Sequence, residues 1–223
     1  MRIATWNVER LKHIKDLDLI RAECERVGAD ILVLTETDRR IQPVFRNCFS
    51  AFSLAGVSVP VMYGDTENRV SVFTNYDCAR VHETYDPLTA VCVELDIGKG
   101  NLLVYGTVIG IRGNRDSSYA VDLDKQLEDI RRLTDAGHSV CMIGDYNCSF
   151  GDNYYFTAIG RKQMLRCFNE CGISLLTGDQ PECIDHIAVS DRFIAGRRVK
   201  VIEEWNQDKS LSDHKGICVE IEE

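Results

Sequence analysis

The chain has 223 residues, 44% hydrophobic and 27% charged, enough for a single domain over 1–223 with a substantial core. No run approaches the roughly 20 apolar residues of a membrane-spanning helix, and the start, MRIATWNVER, lacks the apolar stretch of a secretion signal. A net charge of −9 argues against a protein that lives on bulk duplex DNA, though not against one that handles phosphates at a local basic site.

The first element is a short strand over Arg2–Val8. An amphipathic helix follows, its apolar positions Ile14, Leu17, Ile20, Cys24 and Val27 spaced by threes and fours, with Gly28 as its stop. Asp30–Glu36 is an apolar strand run ending in a carboxylate. Further strands are predicted at Val70–Asn75, Ala90–Ile97 and Leu102–Ile109, most of them bounded by Gly, Asp or Asn turn signals. A second helix spans Ser118–Ala136 with Leu123, Leu127, Ile130 and Leu133 inward. Then come a strand at Val140–Gly144, a helix near Arg161–Cys171 stopped by Gly172, and strands at Ile184–Ser190, Arg198–Glu204 and Gly216–Ile221. Helices interleaved with two groups of strands suit two sheets packed face to face with helices outside. The ten cysteines form no CxxC pair and read as buried thiols in a reducing cytoplasm.

Five polar positions lie at or just past the ends of apolar strands: Asn7, Glu36, the pair Asp145/Asn147, the pair Asp185/His186, and the pair Asp213/His214. Strand ends can aim side chains at one point while loops leave it accessible. Carboxylate and amide oxygens suit a hard ion such as Mg²⁺ or Mn²⁺, and adding His and Asp suits phosphoryl chemistry. Asp185 also sits inside an apolar run, Cys-Ile-Asp-His-Ile-Ala-Val, so if buried it needs a partner.

Trp-Asn-Val (6–8), Leu-Thr-Glu (34–36), Gly-Asp-Tyr-Asn (144–147), Ile-Asp-His-Ile (184–187) and Ser-Asp-His (212–214) resemble, in order, the signature blocks of the endonuclease/exonuclease/phosphatase superfamily. The resemblance implies an α/β fold, the four-layer α/β/β/α sandwich of deoxyribonuclease I-like proteins, with two mixed β-sheets face to face. It implies a site between the tops of the sheets, with Glu36 as the main ligand of Mg²⁺ or Mn²⁺ and Asn7 and Asp213 nearby. Asp145 would orient or deprotonate the attacking water, Asn147 would hold a non-bridging oxygen, and His214, fixed by Asp185, would contact the scissile phosphate. One block departs from the pattern: Thr107 stands where many relatives carry Tyr or His at a phosphate contact, and Tyr105, two residues earlier, shares its face.

Basic residues recur in the loops after the strand ends: Arg10, Lys12, Arg39, Arg40, Arg112, Arg115, Arg161, Lys162 and Lys209. They suggest a phosphate-binding collar, with Arg112 and Arg115 gripping substrate beyond the reacting group. Trp205, Tyr154 and Tyr155 could stack a base or simply pack. The expected activity is a divalent-metal-dependent phosphodiester hydrolase, nuclease-like, acting as a monomer on nucleic acid or a nucleotide-like ester. The alternatives are a phosphomonoesterase on a small metabolite or inositol phosphate, and a non-catalytic binding domain of the same fold.

Overall fold

The computed structural model describes residues 1–12, 17–57 and 61–222. One six-stranded sheet is assembled from both ends of the sequence: β1 (Arg2–Asn7), β2 (Ile31–Asp38), β3 (Asn47–Ser50), β4 (Glu67–Thr74), β11 (Arg198–Trp205) and β12 (Gly216–Glu222). Their order is β11-β12-β1-β2-β4-β3. The middle of the chain makes the second sheet from β5 (Asp77–His82), β6 (Ala90–Asp96), β7 (Asn101–Val108), β8 (Val140–Asp145), β9 (Ile173–Leu175) and β10 (Asp185–Ser190). Here the order is β5-β6-β7-β8-β10-β9. Both sheets are mixed, since β1–β2 and β7–β8 run parallel among antiparallel neighbours.

Period-two alternation divides the side chains among three cores. Ile3, Ile31, Val33, Val70, Val104 and Ile143 point into the space between the sheets. Ala4, Trp6, Leu32 and Leu34, on the other face of the first sheet, meet Ile20 and Cys24 of α1 (Leu17–Arg26). Leu103, Tyr105 and Met142, on the outer face of the second, meet Leu123, Leu127 and Ile130 of α2 (Ser118–Asp135) and Met164 and Phe168 of α3 (Ala158–Cys171). The result is the α/β/β/α sandwich. Each fully buried Leu or Ile contributes roughly 1.5–3 kcal/mol, so the seam and both outer layers are strongly held. A short α4 (Asp191–Ile194) follows β10. Among the described residues, no helix is long and apolar enough to cross a membrane.

The helices and long strands lie where periodicity puts them, within a few residues. Position Ile14, expected on α1, lies outside the described residues. Strands β3, β5 and β9 carry no sequence signal: all three are sheet edges, β3 and β9 are short, and much of their surface is exposed, so no apolar alternation marks them. β4 starts at Glu67 rather than Val70 because the polar residues Glu67, Asn68 and Arg69 are themselves buried there.

Gly144 fixes how β8 delivers the residue after it. Its φ is +133°, and a Cβ there would stand 2.1 Å from the Thr107 carbonyl oxygen of the paired strand β7. Only glycine fits such a backbone-to-backbone approach. Gly144→Ala is expected to cost about 3 kcal/mol in strain and displaced backbone, lowering the Tm by roughly 10 °C for a chain of this size. Thermal unfolding monitored by circular dichroism checks this, and a shift of less than a couple of degrees would contradict it.

Candidate active site

Five strand ends converge between the tops of the two sheets. Asn7, the last residue of β1, is 1% exposed; its Oδ1 accepts from the Glu9 N–H at 2.8 Å and its Nδ2 donates to Asp145 Oδ2 at 3.0 Å. Asp145 ends β8 and faces Asp185, the first residue of β10, across the ladder. The Asn147 N–H donates to Asp145 Oδ1 at 2.8 Å, and the Asn147 amide donates to the Ile109 carbonyl at 2.9 Å. Asp145 is thus clamped by amides from both sheets.

His214 approaches from the loop before β12. Its backbone is fastened on two sides: the His214 carbonyl accepts from Trp6 Nε1 at 3.1 Å and Asn206 Nδ2 at 2.7 Å, while its N–H donates to Ser212 Oγ at 3.2 Å. Trp6 therefore points into the outer core and ties that core to the site. His214 Nδ1 donates to Asp185 Oδ2 at 2.6 Å, which supplies the partner that the buried Asp185 needs. Nε2 points toward Asp213, 3.5 Å away, whose side chain is half exposed.

Charge in this cluster is strongly perturbed. Burial first, then the facing Asp185 carboxylate, pushes the Asp145 acid up to about 7, against the opposing pull of His214 and the Asn147 N–H. Burial alone would strip the proton from His214. The charge and hydrogen bond of Asp185, with Asp145 and Asp213, outweigh it and push the imidazole up to about 10, so the ring is cationic at neutral pH. Glu36, on β2 with a left-handed φ of +43°, is raised by burial and by Asp213 while His214, Lys12 and Arg10 pull it down. Asn147 is also left-handed, at φ +50°. Glu9, bonded to Asn7, is left-handed as well at φ +48°, and three such residues at one site show that the surrounding fold over-determines their positions.

The donor set suits a hard cation. The Asp145 and Asp185 carboxylates come within 4.8 Å of one another beside His214, whose cationic ring acts here as a hydrogen-bond donor and not as a ligand. Asp185 Oδ1 is buried without a partner, and among the described residues the Glu36 carboxylate makes no hydrogen bond. Carboxylates crowded together, with burial opposing their charge, fit Mg²⁺ or Mn²⁺ by oxygen chemistry and by the charge they need neutralised.

Several expectations change. Thr107 is fully buried and its hydroxyl bonds to Gln126 of α2, so its side chain turns away from the site. Tyr105 shares that face, as period two requires, and its hydroxyl donates to Asp129 of the same helix at 3.0 Å. The phase of β7 explains the miss: Val104 and Val108 face the other sheet, and the odd positions face α2. His186 alternates away from Asp185 into the core, where Nδ1 meets Thr177 Oγ1 and Nε2 donates to the Cys148 carbonyl, both at 2.9 Å; burial pushes it down to about 4, so it is a neutral packing residue. Trp205 is 4% exposed and packs edge-on against Trp6.

The basic collar is largely tied up. Arg10 bonds Glu67, Arg40 bonds Asp38, Arg161 bonds backbone carbonyls, and Lys209 Nζ donates to the Tyr154 hydroxyl. Arg112 and Arg115 are exposed on their loop and do not line the pocket beside His214. That pocket, about 420 Å³, is lined by Asn147, Tyr154, Tyr155, Asp185, Lys209 and His214 among others. Two residues went unnoticed in the sequence. Glu9 is 9% exposed, and its Oε2 accepts from the Asp213 N–H at 3.3 Å. Its position two residues past Asn7 was the available signal. Asn114, 4% exposed, donates from Nδ2 to the Asn147 carbonyl at 2.7 Å, and no sequence signal marks it.

The sequence profile of the endonuclease/exonuclease/phosphatase family matches residues 4–214, across all the strand ends just described. The chain belongs to this family. No curated protein matches it. Among solved structures it is similar to a 3′ phosphatase from Neisseria bound to a product DNA hairpin, 17% identical, TM-score 0.69, each chain covered in full. It is similar to an AP endonuclease from Archaeoglobus fulgidus, 13% identical, TM-score 0.68, with 99% of each chain covered. A third is a family protein from Beutenbergia cavernae, 15% identical, TM-score 0.68, covering 100% of this chain and 71% of that one. At such identities the likeness is one of fold. Endonuclease/exonuclease/phosphatase proteins hydrolyse phosphate esters, and the constellation between the two sheets lies inside the matched span.

Proposed function

We propose that the chain is a divalent-metal-dependent phosphodiesterase acting on nucleic acid or a nucleotide-like ester. The observation that carries this reading is the pairing, at one point, of a clamped carboxylate that is neutral until about pH 7 with an imidazole held cationic by Asp185. Above about pH 7 Asp145 is ionised while His214 keeps its proton up to about 10, and in-line hydrolysis requires those two protonation states. Asp145 takes the proton of the attacking water, its orientation fixed by Asn7 and Asn147. His214 presents Nε2–H to a non-bridging oxygen where charge builds up, and Asn147 supports the same group. Mg²⁺ or Mn²⁺ held by Glu36, with Asn7 and Asp213 beside it, would supply Lewis-acid neutralisation of the phosphate oxygens. The DNA product bound by the Neisseria 3′ phosphatase, whose fold this chain shares, favours a nucleic-acid substrate.

Hydrolysis of bis(p-nitrophenyl) phosphate and p-nitrophenyl phosphate, with Mn²⁺, Mg²⁺ or EDTA, is the direct test. Cation-dependent cleavage of the diester is the expected result. Cleavage of the monoester alone would favour a phosphomonoesterase, and titratable Mn²⁺ binding without cleavage of either would favour a binding domain. Glu36→Gln is expected to lower the rate by at least about a hundredfold and to weaken Mn²⁺ binding in calorimetry. The Tm of the metal-free protein should not fall, because the substitution removes a carboxylate that burial disfavours. Wild-type rates persisting in EDTA would remove the metal from the mechanism.

A further inference from the structure

On the Glu36 side of the cleft, one buried cation touches no carboxylate, and the charge that answers to it is Asp122 of α2, beyond ion-pair distance. Arg69 of β4 is 4% exposed, and among the described residues no carboxylate lies within ion-pair distance of it. Its Nη2 donates to the Tyr63 hydroxyl at 3.0 Å, and its guanidinium lies over the Tyr63 ring at 5.2 Å. Arg10 lies over the same ring at 4.5 Å but is satisfied, with Glu67 held at 2.8 and 3.1 Å and the Met62 carbonyl at 2.9 Å. A guanidinium has five N–H donors. Burying one with a single neutral acceptor costs far more than burying a paired one.

Position gives that cost a purpose. Thr35 pairs with Val70 and Thr37 with Asn68, so Arg69 stands opposite Glu36 in the β2–β4 ladder. Arg10, Glu36, Tyr63, Glu67, Asn68 and Arg69 line one crevice that also reaches Thr37, and there Arg10 neutralises Glu67. Thr37 Oγ1 and Asn68 Oδ1 are buried without partners. The missing partners have a definite chemistry: an anion for the guanidinium, an acceptor for the threonine hydroxyl, and a hydroxyl or water for the amide oxygen. A substrate phosphate at the mouth supplies the first, and a water-sized group inside the crevice suits the other two.

We infer that Arg69, backed by Tyr63, grips a second phosphate of the substrate, one sugar–phosphate unit away from the scissile group on the Glu36 side. This rests on the phosphodiesterase reading above. The crevice itself encloses only about 10 Å³, room for a water-sized group, so the phosphate lies at its mouth and meets the donors edge-on. A guanidinium fork suits such a contact better than a lysine.

The test compares the thymidine dinucleotide TpT with the same dinucleotide carrying a terminal phosphate at the 5′ or the 3′ end, in wild type, Arg69→Met and Arg69→Lys. The wild type should show a KM at least about tenfold lower for one of the phosphorylated forms, the loss expected for one charged hydrogen-bonding contact. Arg69→Met should abolish that preference, and Arg69→Lys should restore only part of it. The Tm of Arg69→Met should hold or rise, since an unpaired buried charge gives way to an apolar chain of similar length. A preference that survives Arg69→Met overturns the inference. So does a lowered Tm with equal losses on all three dinucleotides, which would make Arg69 structural. Loss of the preference in an Arg112→Ala/Arg115→Ala double variant instead would move the contact to that loop. Equilibrium binding of the same dinucleotides in EDTA is the second arm: a protein that cleaves no ester with Mn²⁺ refutes the phosphodiesterase reading, and the binding difference still decides the subsite.

Discussion

His214→Ala and Asp185→Asn are each expected to lower kcat by about a hundredfold or more, on the order of 3 kcal/mol of barrier. The two side chains meet at 2.6 Å in a buried setting where Asp185 is 2% exposed. Burial by itself favours the neutral ring, so the cation exists only because Asp185 and its neighbours outweigh that effect. Removing the Asp185 charge therefore removes the His214 proton as well, and the two substitutions disable one unit. The double variant should be little slower than the poorer single one. Steady-state kinetics of the three variants decides this, and losses that multiply would mean that the residues act independently. Linkage gives a second readout. His214 binds its proton more tightly folded than unfolded, so its contribution to stability is complete below about pH 6.5 and is lost as pH rises toward about 10. Asp185→Asn should flatten that part of the stability profile.

Asp145→Asn is expected to act in opposite directions on rate and stability. As the base it should be worth roughly a thousandfold in kcat. In the metal-free protein its carboxyl is raised from 3.8 to about 7, by burial and by Asp185, so ionising it in place costs a few kcal/mol. The folded state binds that proton more tightly than the unfolded one. Stability should therefore fall as pH rises from about 4 to about 7, and the cost should be fully present above that. At pH 8 the Asn variant, which keeps the shape without the charge, should unfold at a higher temperature than wild type in EDTA. Differential scanning calorimetry at pH 5 and pH 8 checks it. A variant destabilised at both pH values would show that the Asp145 hydrogen bonds matter more than its buried charge.

Much of this architecture is legible in the sequence because strand-end chemistry and apolar runs coincide. Asp30–Glu36 reads as a buried strand from its composition, and Asp185 stands out because a lone carboxylate interrupts an apolar stretch. What fails is what tertiary structure alone decides. Thr107 reads as a site residue from its place in the block, and only the packing of β7 between α2 and the other sheet shows that its face meets the helix. The basic collar looks continuous as a list of loop residues. In space Arg10 and Arg40 have found carboxylates, and Arg69, hidden inside a strand, is left without one. Asn114 is invisible for the same reason. It acts on the backbone of Asn147, and sequence carries no trace of which carbonyl a loop amide will meet.

The division of the strands between the sheets sets the order in which the site can be assembled. β1 to β4 deliver Asn7 and Glu36, the middle of the chain delivers Asp145 and Asp185, and only the return to β11 and β12 brings His214. A nascent chain emerging in that order builds the second sheet complete, yet carries an Asp185 with no imidazole to pair with. The Asp185–His214 pair is completed only by the last hairpin of the chain, β11–β12. Until that hairpin is in place, the buried Asp185 has no cationic partner.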